Sequence, residues 1–230
     1  MIRKLFIVSA SALLLAMICL AGAWAIGGKE LVDSGGWTID DKDSGPHITR
    51  DFTFDPNVPL VLSAPVNLEF TRGAKVSMTV SGRPAVIEAL RWEGGRLTTG
   101  NNKTFSGKAV TLKITAPVMP KIELNGPGNI ELNDLRQPLL EIEMSGAGNI
   151  EASGKVDKVT VEASGAGNVD LEALDATDAD VDLAGFGNAD INASGTVNAS
   201  IAGAGNITLH RKPRLLHSNI AGFGNVEHSY

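Results

Sequence analysis

The stretch that decides the fold is MSGAGNIEAS at residues 144–153, which returns as ASGAGNVDLE at 163–172 and IAGAGNITLH at 201–210. Its centre, Gly-x-Gly-Asn, occurs six times. The copies place Gly126, Gly128 and Asn129; Gly146, Gly148 and Asn149; Gly165, Gly167 and Asn168; Gly185, Gly187 and Asn188; Gly203, Gly205 and Asn206; and Gly222, Gly224 and Asn225. Successive first glycines are 20, 19, 20, 18 and 19 residues apart. A period of that size predicts a coil stacked on itself, one turn per repeat, each turn burying only what its neighbours cover.

Alignment on the first glycine gives the orientation. Two positions before it stand Leu124, Met144, Ala163, Leu183, Ile201 and Ile220. Four positions after it stand Ile130, Ile150, Val169, Ala189, Ile207 and Val226. Six after it come Leu132, Ala152, Leu171, Ile191, Leu209 and finally His228, where the apolar column ends against solvent. Apolar ranks at even offsets predict parallel strands with the side chains inside piled in columns. A meander of antiparallel hairpins is the competing arrangement, and it offers no reason for identical turns at a fixed interval.

The glycines and asparagines have structural work of their own. Glycine permits a tight corner where a Cβ would clash, and asparagine bonds readily to local backbone. Strands stacked about 4.8 Å apart would let the six asparagines form an amide ladder.

Upstream, Phe52 and Phe54, then Val66, Leu68 and Phe70, then Val76, Met78 and Val80 alternate with polar residues, as do Val110, Leu112 and Ile114. These runs read as half-buried strands. Residues 85–92 read as a helical turn, Leu97 as the start of a short strand, and Gly100-Asn101-Asn102 as a turn. The expected organisation is an all-β chain. A leader at 1–25 and a flexible lead-in at 26–46 precede an irregular β portion at 47–120, and a parallel β-helix, or solenoid, of about six marked turns follows at 121–230.

The leader carries Arg3 and Lys4, an apolar run from Leu5 to Leu20, and the A-x-A site Ala23-Trp24-Ala25, the pattern of a secretory signal. An uncleaved anchor at residues 5–26 is the alternative, and would be the chain's contact with a membrane. Either reading places the protein outside the cytoplasm, in a periplasm or at a cell surface. Its single cysteine lies in this segment, so the rest of the chain has no thiol chemistry. Removing Arg3 and Lys4 takes the net charge from −6 to −8, a sign that disfavours nucleic-acid binding.

These residues resemble a known family. The GAGN units, together with VNLEFTRGAKVSMTVSG (66–82), VIEALRWEGGRLTTG (86–100) and AVTLKITAPVMPKIELNG (109–126), are similar to the bacterial head GIN domain, described as a putative auto-transporter adhesin head. The resemblance covers about residues 51–230. It implies a secreted, helically coiled β domain of the bacterial envelope, with no established enzymatic activity and no catalytic residues to carry over. One departure is that no barrel-length series of strands follows the repeats, which argues against a self-contained autotransporter.

Two outward columns are acidic: Glu123, Glu143, Glu162 and Asp182, continued by Ser200 and Asn219; and Glu131, Glu151, Asp170 and Asp190, continued by Thr208 and Glu227. They serve as a solvated face or as a display for cations or a basic partner. Calcium wants six to eight oxygens and a flat column supplies fewer, so no metal site and no cofactor is expected. No carboxylate pair stands apart from the repeat as a tuned acid and base, and His47, His210, His217 and His228 adjoin no nucleophile motif. Phe186 and Phe223 replace the usual alanine or proline of the signature. They could stack on a sugar or a partner; covering an apolar neighbour from the first half is the reading favoured by sequence. The expected work is non-catalytic binding or adhesion at the envelope, toward a surface glycan or an envelope protein. A structural scaffold or, less favoured, a glycan-active β-helix enzyme are the alternatives.

Overall fold

In the computed structural model, residues 46–100 and 109–230 are described. The leader and nearly all of the lead-in lie outside them, as does most of the turn expected at Gly100-Asn101-Asn102.

The repeats form the expected parallel coil. Strands β9 (Pro127–Met144), β10 (Ala147–Ala163) and β11 (Ala166–Leu183) each run through almost a whole turn. Shorter strands complete the later turns: β12 (Phe186–Ala193), β13 (Thr196–Ile201), β14 (Ala204–Leu209), β15 (Leu215–Ile220) and β16 (Phe223–His228). Neighbours are parallel and stack like on like. Asn129 faces Asn149, Asn149 faces Asn168, Asn188 faces Asn206 and Asn206 faces Asn225. The six signatures bound about five turns.

Each turn has three faces, and the burial pattern shows where they meet. Alternation lapses at Asn133 and Asp134, then at Pro138 and Leu139, where two consecutive residues point outward. The same double step recurs at Glu172 and Ala173 in β11. A front face carries the signature asparagines, a short face follows at 135–137, and a third face runs to Met144. Asp134 takes a positive φ of 54° at the first corner; Arg72 holds it there, with Nε donating to its carbonyl at 2.9 Å and Nη2 to its carboxylate at 2.8 Å.

The signature is the third corner, and close approach requires its glycines. A Cβ on Gly148 would lie 1.6 Å from the carbonyl oxygen of Gly128, and one on Gly146 would lie 2.1 Å from that of Gly126. No side chain fits. The N–H groups of Ser145 and Gly146 both donate to the carbonyl of Leu124 one turn below, at 3.0 and 2.9 Å, and this doubled bond recurs at later corners.

The coil begins earlier than its signatures. Strand β2 (Leu60–Leu62) pairs in parallel with β8 (Ile122–Leu124) on the third face. Strand β3 (Val66–Arg72) pairs in parallel with β9 on the front face. Residues 60–72 are thus a rung without a Gly-x-Gly-Asn. Beyond β3, parallel β7 (Val110–Ala116) and antiparallel β4 (Ser77–Gly82) and β1 (Ile48–Phe52) continue the front face and close that end. Val76 falls outside β4 and is 40% exposed. The helical segment is shorter than the sequence suggests: α1 spans Pro84–Ala89, and Leu90–Glu93 is already strand β5, paired antiparallel with β6 (Arg96–Thr99). Ile87 of α1 is buried in the core.

The interior is the narrow aliphatic column the repeat implies, continuous from Phe54 to Leu209. Gln137 is its one buried polar side chain among the described residues. Its amide bonds both backbone groups of Met119, accepting at 2.8 Å and donating at 3.0 Å, and so ties the 117–121 connection to the coil. At the other end β15 and β16 each pair on one side only, and Ile220 is 44% exposed.

Candidate binding surface

The register brings each predicted outward column together. Glu131, Glu151, Asp170 and Asp190 are successive partners on the front face, as are Glu123, Glu143, Glu162 and Asp182 on the third. Glu69 adds a carboxylate below Glu131. The sequence signal was there: Asn67-Leu68-Glu69-Phe70 matches Asn129-Ile130-Glu131-Leu132, but valine in place of the second glycine hides it.

Basic side chains sit mainly at the column ends. Lys113 reaches Glu69 at 2.7 Å, and His210 lies 2.9 Å from Asp190 and 3.7 Å from Glu172. Lys121 bridges Glu143 at 2.6 Å and Glu123 at 3.5 Å. The carboxylate partners Glu69 and Glu143 hold the Lys113 and Lys121 ammonium groups protonated above the usual lysine range. On the third face, hydrogen bonds from Lys158 and then Asn198 hold Asp180 below the ordinary aspartate range. Arg211 does the same for Asp175, at 2.6 Å. Among the described residues no group of three or more His, Cys, Asp or Glu is gathered closely enough to hold a metal ion.

A shallow polar trough of about 320 Å³ crosses the third face, lined on one side by Thr160, Asp180, Asn198 and His217 and on the other by Glu162, Asp182, Ser200 and Asn219. Of its carboxylates, Asp180 is already occupied by Lys158 and Asn198 at 2.5 Å each. No Phe, Tyr or Trp lines the trough.

The aromatic corner is different. Phe186 and Phe223 are 72% and 87% exposed. The expectation that they cover an apolar neighbour from the first half is wrong: that half packs at the opposite end of the coil, below Gly128. Register puts Phe186 over Ala166, Ala204 over Phe186, and Phe223 over Ala204. Two phenyl rings therefore flank one alanine on the outer edge of the signature corner, and two residues further along each strand runs the asparagine ladder.

The sequence pattern of the family described as putative auto-transporter adhesin, head GIN domain, matches residues 59–213. That is well over half of the chain, and the protein belongs to this family. The match starts where the hidden rung starts. No curated protein sequence matches the chain. Among solved structures, a putative adhesin from Bacteroides fragilis is 22% identical, with a TM-score of 0.67 covering 80% of this chain and 98% of that one. A putative adhesin from Parabacteroides distasonis is 13% identical, with a TM-score of 0.52 over 80% and 98%. Both share the coil; at these identities the likeness is one of fold.

Proposed function

We propose that this chain is a non-catalytic binding module of adhesin type, exported and working at a bacterial envelope or surface. One observation carries the reading: Phe186 and Phe223 stand largely exposed on the signature corner, where the other signatures have alanine or proline. An exposed phenyl ring forgoes roughly 1.5–3 kcal/mol of burial, and a pair in register is a surface that gains on meeting a ligand. The family's description and the two structural neighbours support the same class. The leader supports export. The carboxylates favour display over catalysis, because they repeat rung by rung as equivalent neighbours. His210 rests between two of them and adjoins no serine nucleophile.

The test is adherence of the purified chain to bacterial cells or isolated envelope. Changing both Phe186 and Phe223 to alanine should reduce binding at least tenfold with unaltered thermal melting. Unchanged binding would remove the aromatic corner from the function.

A second reading, a scaffold docking a partner through the open end of the coil, draws on the one-sided pairing of β15 and β16. It predicts that adherence survives the phenylalanine changes and is lost when Leu215 and Ile220 become polar.

A further inference from the structure

We propose that the corner formed by Phe186, Ala204 and Phe223 is a saccharide site, in which a neutral or amino hexose stacks a C–H face on a phenyl ring over Ala204 while Asn206 and Asn225 bind its hydroxyls. This rests on the binding-module reading and names its ligand class.

The asparagine ladder supplies the evidence. In its lower rungs each side-chain amide is spent on the rung beneath. Asn149, Asn168 and Asn188 donate from Nδ2 to the Oδ1 of the preceding asparagine at 3.3, 3.1 and 3.3 Å. The pattern then changes. At Asn206 and Asn225 only the backbone N–H reaches the Oδ1 below, at 3.1 Å in both cases. Their Nδ2 groups have no acceptor among the described residues. Among the described residues nothing donates to the Asn225 Oδ1. The two amides left to bond a ligand thus lie two residues from Ala204 and Phe223, on the same outward side.

Spacing fits a ring rather than a flat contact. Phe186 and Phe223 are two rungs apart, about 9.6 Å at 4.8 Å per rung, with only a methyl group at Ala204 between them. The corner presents two exposed aromatic side chains with two asparagine amides two residues along. A purely apolar ligand would bury those amides without partners, which is unfavourable. A purely polar ligand would leave the rings unused. A pyranose has an apolar face and a hydrogen-bonding edge, and satisfies both. Charge narrows the class further. Glu227 stands two residues beyond Asn225, and the chain carries a net charge of −6, so uronic and other acidic sugars are disfavoured.

The test is calorimetric titration of the full chain with trimers of glucose, mannose and N-acetylglucosamine, with a galacturonate trimer for contrast. Amide NMR follows the Asn206 and Asn225 side chains. A neutral or N-acetylated trimer should bind and shift those two amide signals. Phe186→Ala and Phe223→Ala should each weaken binding about twofold to tenfold, Asn225→Asp should weaken it while preserving shape, and Ala204→Phe should fill the gap between the two phenylalanine positions and weaken binding with both rings intact. Preference for galacturonate would overturn the proposal. So would finding that none of the trimers binds while the double alanine variant still loses adherence, which leaves the binding-module reading standing and removes the sugar. A phenylalanine-dependent dimer in sedimentation would also overturn it, assigning the corner to self-association.

Discussion

Asn67 lies one rung below Asn129 in parallel register, and the Asn129 side-chain amide points to its Oδ1 at 3.5 Å. The ladder therefore starts 62 residues before the first signature asparagine, in a strand that carries none of the diagnostic glycines. A chain beginning at residue 121 would lose β2 and β3 and expose the lower edge of β8 and β9. It is expected to aggregate or stay unfolded, as read by circular dichroism and size-exclusion chromatography. The chain from residue 46 should fold.

The signature glycines are fixed by space. Gly148→Ala would drive a methyl group to 1.6 Å from the Gly128 carbonyl oxygen, and the neighbouring atom is backbone that cannot step aside. The expected cost is about 3 kcal/mol or more, a melting shift of roughly 6–12 °C for a chain of this size. Ala147→Ser next to it, on the exposed side of the corner, should be nearly silent in the same melt.

The ladder should be stronger in the middle than at its end. Asn168 donates to Asn149 and accepts from both the side chain and the backbone of Asn188, whereas Asn225 bonds downward only. Asn168→Ala is expected to cost about 1 kcal/mol, and Asn225→Ala clearly less, in urea unfolding midpoints. Equal costs would mean the ladder adds nothing as a stack.

Gln137 is a separate device. Changing it to leucine keeps the volume but strands the Met119 N–H and C=O in a dry site. The expected loss is about 1–3 kcal/mol, with faster hydrogen exchange confined to residues 117–121.

Acid should undo the Asp175 and Asp180 contacts. Both carboxyls are held below the ordinary aspartate value in the folded chain, Asp175 chiefly by Arg211 and Asp180 chiefly by Lys158. A lowered folded value means the contribution is complete above the unfolded pKa, about 3.9, and disappears as pH falls through the folded values. Asp180→Asn should therefore lower the melting temperature at pH 7, by no more than about 2 °C for so exposed a pair. The difference should shrink as the pH falls below the ordinary aspartate value.

The parallel coil, its inward columns and its acidic outward columns were all legible because one pattern was printed six times in register. Where the pattern lapses, the sequence was mute. Val66 has no glycine to announce its rung, so Asn67 and Glu69 passed as parts of an ordinary strand. Leu90 to Trp92 read as helix because Val86, Ile87 and Leu90 have helical spacing; pairing of Leu90–Glu93 with Arg96–Thr99 through a Gly94-Gly95 turn prevailed instead. The exposure of Phe186 and Phe223 was misjudged for a physical reason. Large apolar side chains are usually covered, and only the stacking direction reveals that the first half of the chain lies at the far end. The loss of side-chain donation at Asn206 and Asn225 depends on rotamers, which no spacing encodes.

The binding corner depends on the piling of signature corners that puts residues 186, 204 and 223 in one column. Paired cysteines test this directly, with Cys19 replaced by serine. Neighbouring rungs bring Cα atoms within the 4.4–6.8 Å a disulfide needs, and a two-rung gap does not. Oxidation should close Phe186→Cys with Ala204→Cys, and Ala204→Cys with Phe223→Cys, while Phe186→Cys with Phe223→Cys stays open. Closure of the last pair, or failure of both neighbouring pairs in a folded chain, would contradict the stack and the binding corner built on it.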